Sequence, residues 1–200
     1  MSLDEVIKRA KIQPDNLVAL YMYGSRVYGT FRKSSDYDYI AVVKKREHEQ
    51  FSDNVININF FDVEAHQHRL NEHEISALET YFLSPEFILL EKKKFNFQLN
   101  HSKLRHAISA KSSNSWVKAK KKLTVPESYD LDLGRKSLFH SIRIIDFGLQ
   151  IAKTGKINNY SSCNPIFKEI MDCYNWQEMY DEFKQHYNMC CTMFRLECPK

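Results

Sequence analysis

Glycine and proline are scarce, with five of each in 200 residues, and no segment is repeated or of low complexity. No apolar run approaches the ~20 residues that a membrane-spanning helix needs. The opening stretch, "MSLDEVIKRAKIQ", has no apolar signal-peptide core. These absences lead to the expectation of a cytoplasmic protein with no membrane partner. Cysteine is odd in number: Cys163, Cys173, Cys190, Cys191 and Cys198, all late in the chain and none in a Cys-x-x-Cys pair. That pattern excludes a disulfide frame or a zinc site and reads as reduced thiols. Charge of one sign is also lacking. Twenty-nine Lys and Arg against 25 Asp and Glu leave a net +4, which allows a nucleotide or nucleic-acid partner without demanding one.

What is present is apolar and aromatic. Hydrophobic residues make up 43% of the chain, with 11 Tyr and 13 Phe, enough for a real core in one domain or in two small ones. Ser2 and Glu5 have capping-box spacing and open a helix over residues 3–12. "LVALYMY" (17–23), "DYDYIAVV" (36–43) and "VININFF" (55–61) read as strands. The hydrophilic "KKREHEQFSDN" between the last two reads as a loop or short surface helix. After residue 72 the periodicity becomes helical, in "HEISALETYF" and over 101–123, 130–154, 163–173 and 176–194. Gly155 is placed to end the second long helix. A small α/β part therefore comes first and a helical part follows, with the change near residues 62–72.

The chemistry concentrates in "YGSRVYGTFRKSSDYDYI". Alternate residues of a strand share a face, so Asp36 and Asp38 point the same way about 7 Å apart. Two carboxylates facing together repel unless something positive stands between them. Mg²⁺ is the natural candidate, as a hard cation that binds through one or two carboxylates plus substrate phosphates. The first strand ends at Gly24-Ser25, where exposed backbone N–H groups at a helix start can hold a phosphate. The Ser25 hydroxyl can donate to it, and Arg26 or Arg32 can add charge. One strand end would hold a triphosphate and its neighbour the bridging metal, the arrangement of in-line nucleotidyl transfer. Asp-x-Asp alone, or Gly-Ser alone, would read as a solvated turn. The combination is what carries weight.

At these residues the chain resembles the nucleotidyltransferase superfamily typified by DNA polymerase beta and the kanamycin nucleotidyltransferase. Within it, the chain looks most like a group of stand-alone nucleotidyltransferases with the motif Gly-Ser-Arg-x-Tyr-Gly-Thr followed by Ser-Asp-x-Asp-Tyr. The segments "ALETYFLSPEF", "GRKSLFHSIRIIDFGLQIAKTGKI" and "FKEIMDCYNWQEM" resemble that group more loosely. The resemblance implies an α+β fold: a small mixed β-sheet nucleotidyltransferase domain over 1–66, followed by a mainly helical domain over 67–200. It implies Mg²⁺ or Mn²⁺ as cofactor and a nucleoside triphosphate such as ATP as substrate. A nucleoside monophosphate would pass to an acceptor hydroxyl, with release of pyrophosphate. Gly24 and Ser25 would bind phosphate, and Asp36 and Asp38 would bind metal and carry catalysis.

The family also supplies a third carboxylate from the next strand, here "VININFF". Ile56, Ile58 and Phe60 form the face to be buried, and Asn57 and Asn59 the other. The position implied to be acidic is Asn57, whose amide can offer an oxygen to a metal but cannot act as a base. Asp62 would replace it if the strand bulges or ends there. If neither serves, the alternative is a nucleotide- or RNA-binding module with a decayed active site.

Three further groups are open to two readings. Lys136, His140 and Arg143 share a helix face. It is either a solvated polar face or, following the similar pattern in the family, a phosphate-contacting cleft wall. "WVKAKKKL" (116–123) is either a solvated face or a track for an RNA acceptor, the other acceptors being protein or a small molecule. His66, His68 and His73 lack metal-ligand spacing and are expected on the surface.

Overall fold

Ser2 caps the first helix as its spacing predicts. Its hydroxyl accepts from the Glu5 amide at 3.3 Å and the Glu5 carboxylate accepts from the Ser2 amide at 2.7 Å. The computed structural model describes residues 1–199. It divides into two compact units, Met1–Gln98 and the residues from Leu99 onward. The first unit extends past the residue-66 boundary expected from the sequence by two helices and a strand. Among the described residues no helix is long and apolar enough to cross a membrane.

In the first unit the elements run α1 (Leu3–Ala10), β1 (Leu17–Tyr23), α2 (Ser25–Tyr28), β2 (Tyr37–Val43), β3 (Gln50–Ser52), β4 (Ile56–Asp62), α3 (Val63–Asn71), α4 (Ile75–Tyr81) and β5 (Ile88–Glu91). The strands form one sheet in the order β3-β4-β2-β1-β5. β2 and β4 are parallel and the other neighbours antiparallel, so the sheet is mixed, as expected. Strands β1, β2 and β4 lie where the sequence puts them. β3 and β5 are short edge strands in segments too polar or too brief to carry a period-2 signal.

One face of the sheet buries Leu20, Tyr39, Ala41, Ile56 and Ile58 against Val6 of α1. The other face carries Tyr21, Ile40, Asp38 and Asn57, which are linked by strand register and so point together. α3 covers part of that second face. Its His66 stacks on Tyr21 with ring centroids 6.0 Å apart and meets the edge of Phe95 at 4.6 Å.

The expectation of surface histidines is corrected here. His66 and His73 are each 1% exposed, and of the three only His68 is exposed. α3 turns His66 toward the sheet, where an imidazole is accepted as a flat, mostly apolar ring. His73 sits at the helix connection with a positive φ of 58°, its Nδ1 3.1 Å from the Asn71 carbonyl.

The second unit consists of α5 (His101–Thr124), α6 (Leu131–Thr154), α7 (Asn164–Asp172) and α8 (Trp176–Glu197). α6 packs against both α5 and α8. It is therefore buried around most of its circumference, beyond the Leu138/Ile142/Ile145 stripe: Phe139, Ile144, Phe147 and Ile151 are buried too. Gly148 lets α5 come close, since a Cβ there would stand 2.7 Å from Ile108. Trp116 is buried and stacks on Tyr187 at 4.4 Å, while Lys118, Lys120 and Lys121 of the basic run are exposed. The five cysteines are free thiols.

Burial pushes His66 down from 6.5 to about 4, with the Arg69 charge adding to the effect. The unfolded chain therefore binds the extra proton first as pH falls. Stability is full above about pH 6.5 and drains away toward pH 4, by up to about 3 kcal/mol. Urea unfolding across that range should show this slope in the wild type, and His66→Phe should flatten it. Equal slopes would mean that His66 does not titrate as its burial requires.

Candidate active site

A single row of register partners builds the site. Ser52 on β3 pairs with Asn57 on β4, Asn57 with Asp38 on β2, and Asp38 with Tyr23 on β1. Register partners share a face, so four adjacent strands deliver Ser52, Asn57, Asp38 and Tyr23 to one end of the sheet beside the β1–α2 turn. Asp36, two residues before Asp38, joins them. The amide Nδ2 of Asn57 donates to Asp38 Oδ1 at 3.2 Å and also to Asp36 Oδ2. The two aspartates thus converge on one atom, the Nδ2 of Asn57, at the position the resemblance implied to be acidic. The Asn57 Oδ1 accepts from the Ser52 hydroxyl at 2.5 Å.

Gly24 closes the other side of the row. Its φ of 78° and ψ of −153° are open only to glycine at low cost. A Cβ there would stand 2.4 Å from Asp38 Oδ2, so the bare backbone is what lets the carboxylate lie against the turn. The Gly24 carbonyl accepts from the Val27 and Tyr28 amides at 3.0 and 3.2 Å, which starts the short α2. Ser25 is the first residue of that helix, and Gly29, with φ 76°, ends it. Tyr28 anchors it below: its hydroxyl donates to the buried Glu79 of α4 at 2.8 Å.

Arg26, expected at a phosphate, is also bonded within the loop that carries Asp36. It donates to the carbonyls of Ser35 at 2.6 Å and Asp36 at 3.2 Å. Its guanidinium lies 3.6 Å over Tyr37 and 5.0 Å over Phe31. The side chain staples the 30–36 loop and so sets where Asp36 begins. Asp62 is not with the carboxylate pair. It pairs with Val43 at the far end of β4, about 16 Å along the strand from Asn57 by strand rise. Its carboxylate caps α3, accepting from the Ala65 amide at 2.7 Å. Among the described residues no three His, Cys, Asp or Glu side chains gather as a metal cluster.

Lys136, His140 and Arg143 lie on α6 of the second unit. Lys136 is exposed, but Arg143 is 3% exposed. It donates to His140 Nδ1 at 2.8 Å and lies 5.8 and 5.5 Å from the ring centres of Phe139 and Phe147. Accepting at Nδ1 requires a neutral His140. Burial first, then the Arg143, Lys111 and Lys118 charges, hold its pKa well below the ordinary value. A face expected to be uniform is thus an exposed lysine beside a buried Arg–His pair. α6 is the central helix, so one side of nearly every turn is covered.

The model of the nucleotidyltransferase domain covers residues 3–121. The chain belongs to that family. It is a nucleotidyltransferase, of the class that moves a nucleoside monophosphate from a nucleoside triphosphate. Among solved structures it is similar to a spectinomycin adenyltransferase from Enterococcus faecialis, crystallised with ATP and spectinomycin. That match has a TM-score of 0.50 and 13% identity and covers 98% of this chain and 100% of the other. It is also similar to a nucleotidyltransferase-like protein from Exiguobacterium sibiricum, with a TM-score of 0.34, 10% identity and 98% and 73% coverage. No curated protein matches the chain.

Gly24 and Gly155 share a φ of 78°, but a Cβ on Gly155 would meet nothing within 4 Å. Their ψ values differ, −153° at Gly24 and 0° at Gly155, so Gly155 reports the left-handed conformation alone while Gly24 adds a conformation reserved for glycine and the Asp38 contact. Gly155→Ala should cost about 1 kcal/mol from strain alone, and Gly24→Ala about 2–4 kcal/mol because its backbone must change and Asp38 must also move. Thermal unfolding of both variants measures the gap. Equal losses would mean that neither the Gly24 backbone nor Asp38 resists a side chain there.

Proposed function

We propose that this nucleotidyltransferase is divalent-metal dependent and transfers a nucleoside monophosphate to an acceptor hydroxyl with release of pyrophosphate. The observation that carries the reading is the convergence of Asp36 and Asp38 on one point beside Gly24. The donor set suits a hard cation: two carboxylates beside an amide side chain, with no thiolate or imidazole among the described residues of the site. Asp36 and Asp38 would hold Mg²⁺ or Mn²⁺, with Asn57 as a neutral third group. When bound, the cation would neutralise charge on the triphosphate and on the transferred phosphoryl group.

The chain's own residues do the remaining work. Gly24 and Ser25 present backbone and hydroxyl donors to phosphate oxygens. Arg26 fixes the loop that positions Asp36. The acceptor oxygen attacks the α-phosphorus, the bond to the β-phosphate bridging oxygen breaks, and pyrophosphate leaves. With an amide at position 57, the acceptor proton goes to one of the two aspartates or to water.

For the acceptor, a small molecule is favoured over RNA. Trp116, the aromatic of the basic run, is packed on Tyr187 and so is not offered to a base. The neighbour of known structure carries spectinomycin.

The test uses Mg²⁺ or Mn²⁺, each α-³²P-labelled nucleoside triphosphate, and three acceptor pools: hydroxylated small molecules including spectinomycin, total RNA, and the protein itself. Label should appear in the small-molecule pool. It should vanish with EDTA and fall at least ~10³-fold, about 4 kcal/mol of barrier, in an Asp36→Ala/Asp38→Ala variant. Label on RNA would replace the acceptor class. Nucleotide binding without label in any pool would favour the second reading, a binding module in which Asn57 has ended turnover.

A further inference from the structure

We infer that the Asn57 side chain is a two-position device: its amide N–H₂ holds the aspartate pair closed when no cation is bound, and it turns over about Ser52 to admit one. The inference rests on the proposed metal-dependent reading of this site. The metal-free orientation is dictated by chemistry. Two carboxylates face the amide, so its nitrogen must point at them and its oxygen away. That is the arrangement found, with Nδ2 on Asp36 and Asp38 and Oδ1 on the Ser52 hydroxyl.

A cation entering between the carboxylates reverses the demand. It repels the amide N–H₂ and attracts the amide oxygen. The partner on the other side tolerates the reversal. A hydroxyl donates to Oδ1 in one position and accepts from Nδ2 in the other, so turning the amide over costs no bond to Ser52. The last torsion of asparagine is soft and roughly two-fold, so the backbone stays where it is.

The pivot is held in place independently of the site. Ser52 and Asn57 are register partners. The turn between them is tied by Asp53, whose Oδ1 accepts from the Val55 and Ile56 amides at 2.7 and 2.8 Å. An aspartate at 57 could not hold the metal-free row, since it would add a third negative charge to it and has no N–H to offer. Asn57 and Ser52 are therefore positioning residues that give the site a stable resting state without metal.

The side-chain amide of Asn57 reports this directly in ¹H–¹⁵N spectra of the whole chain, assigned by the pair of peaks lost in Asn57→Asp. The ¹³C carboxyl signals of Asp36 and Asp38 report the metal independently. With Mg²⁺ and α,β-methylene ATP added, the Asn57 peaks should shift together with both carboxyl signals. Carboxyl signals that move while the Asn57 peaks stay fixed would overturn the inference alone. Carboxyl signals that never move would overturn the functional reading and the inference with it. Without metal, Ser52→Ala should speed exchange of the Asn57 amide protons with water several-fold, and Ser52→Thr should restore the slow rate. Equal exchange in all three proteins would remove Ser52 as the pivot.

Discussion

Two carboxylates that converge on one point, Asp36 just before β2 and Asp38 within it, repel each other unless a donor or a cation stands between them. Asp36 and Asp38 impose that requirement on the whole first unit. The sheet meets it by register. Parallel pairing of β2 with β4 sets Asn57 opposite Asp38, and antiparallel pairing of β3 with β4 sets Ser52 opposite Asn57. A slip of one residue in either pairing would send Asn57 to the face that buries Ile56 and Ile58. The apolar alternation of β4 thus secures the polar row as much as it secures the core. The same residues that pack against α1 make the position of the half-buried Asn57 amide non-negotiable.

The second constraint is the approach of Asp38 to the backbone. Gly24 follows Tyr23, the register partner of Asp38, so the turn into α2 begins where the carboxylate needs room. The strained φ there is supported from two sides. The Tyr28–Glu79 bond holds α2 down onto α4, and Arg26 holds the returning loop through two carbonyls. Arg26 also lies over the rings of Phe31 and Tyr37, a cation–π contact that helps hold it against the loop.

Much of this was legible in the residues. The three long strands, the four later helices and the Asp36/Asp38 convergence follow from period-2 and period-3.6 patterns, which burial enforces strongly. That position 24 must be glycine follows from the motif, but not that its bare backbone makes room for Asp38. What was not legible depends on tertiary partners. His66 carries no signal that α3 would turn it onto Tyr21. Arg143 looks like a surface cation until α6 proves central, with helices on more than one side. Arg26 has several stereochemically good uses, and sequence does not rank them. β3 and β5 are edge strands of three and four residues, below the length at which alternation can be told from chance.

The fate of the two carboxylate candidates near β4 has a common cause. Asp62 ends the strand and begins α3, so its carboxylate satisfies an amide at a helix start, where a negative charge is favoured. It cannot also reach the site, because the strand is straight and the separation is five residues. The acid is spent on the fold, and the site position holds an amide. On the proposed reading, the row then carries two negative charges instead of three. The attraction for a bare cation falls, while the attraction for a cation already bound to a triphosphate falls less, since the phosphates bring charge of their own. The substitution that weakens the case for an acid–base partner therefore shifts metal recruitment toward the nucleotide. It also leaves the metal-free sheet end neutralised by hydrogen bonds rather than by an ion.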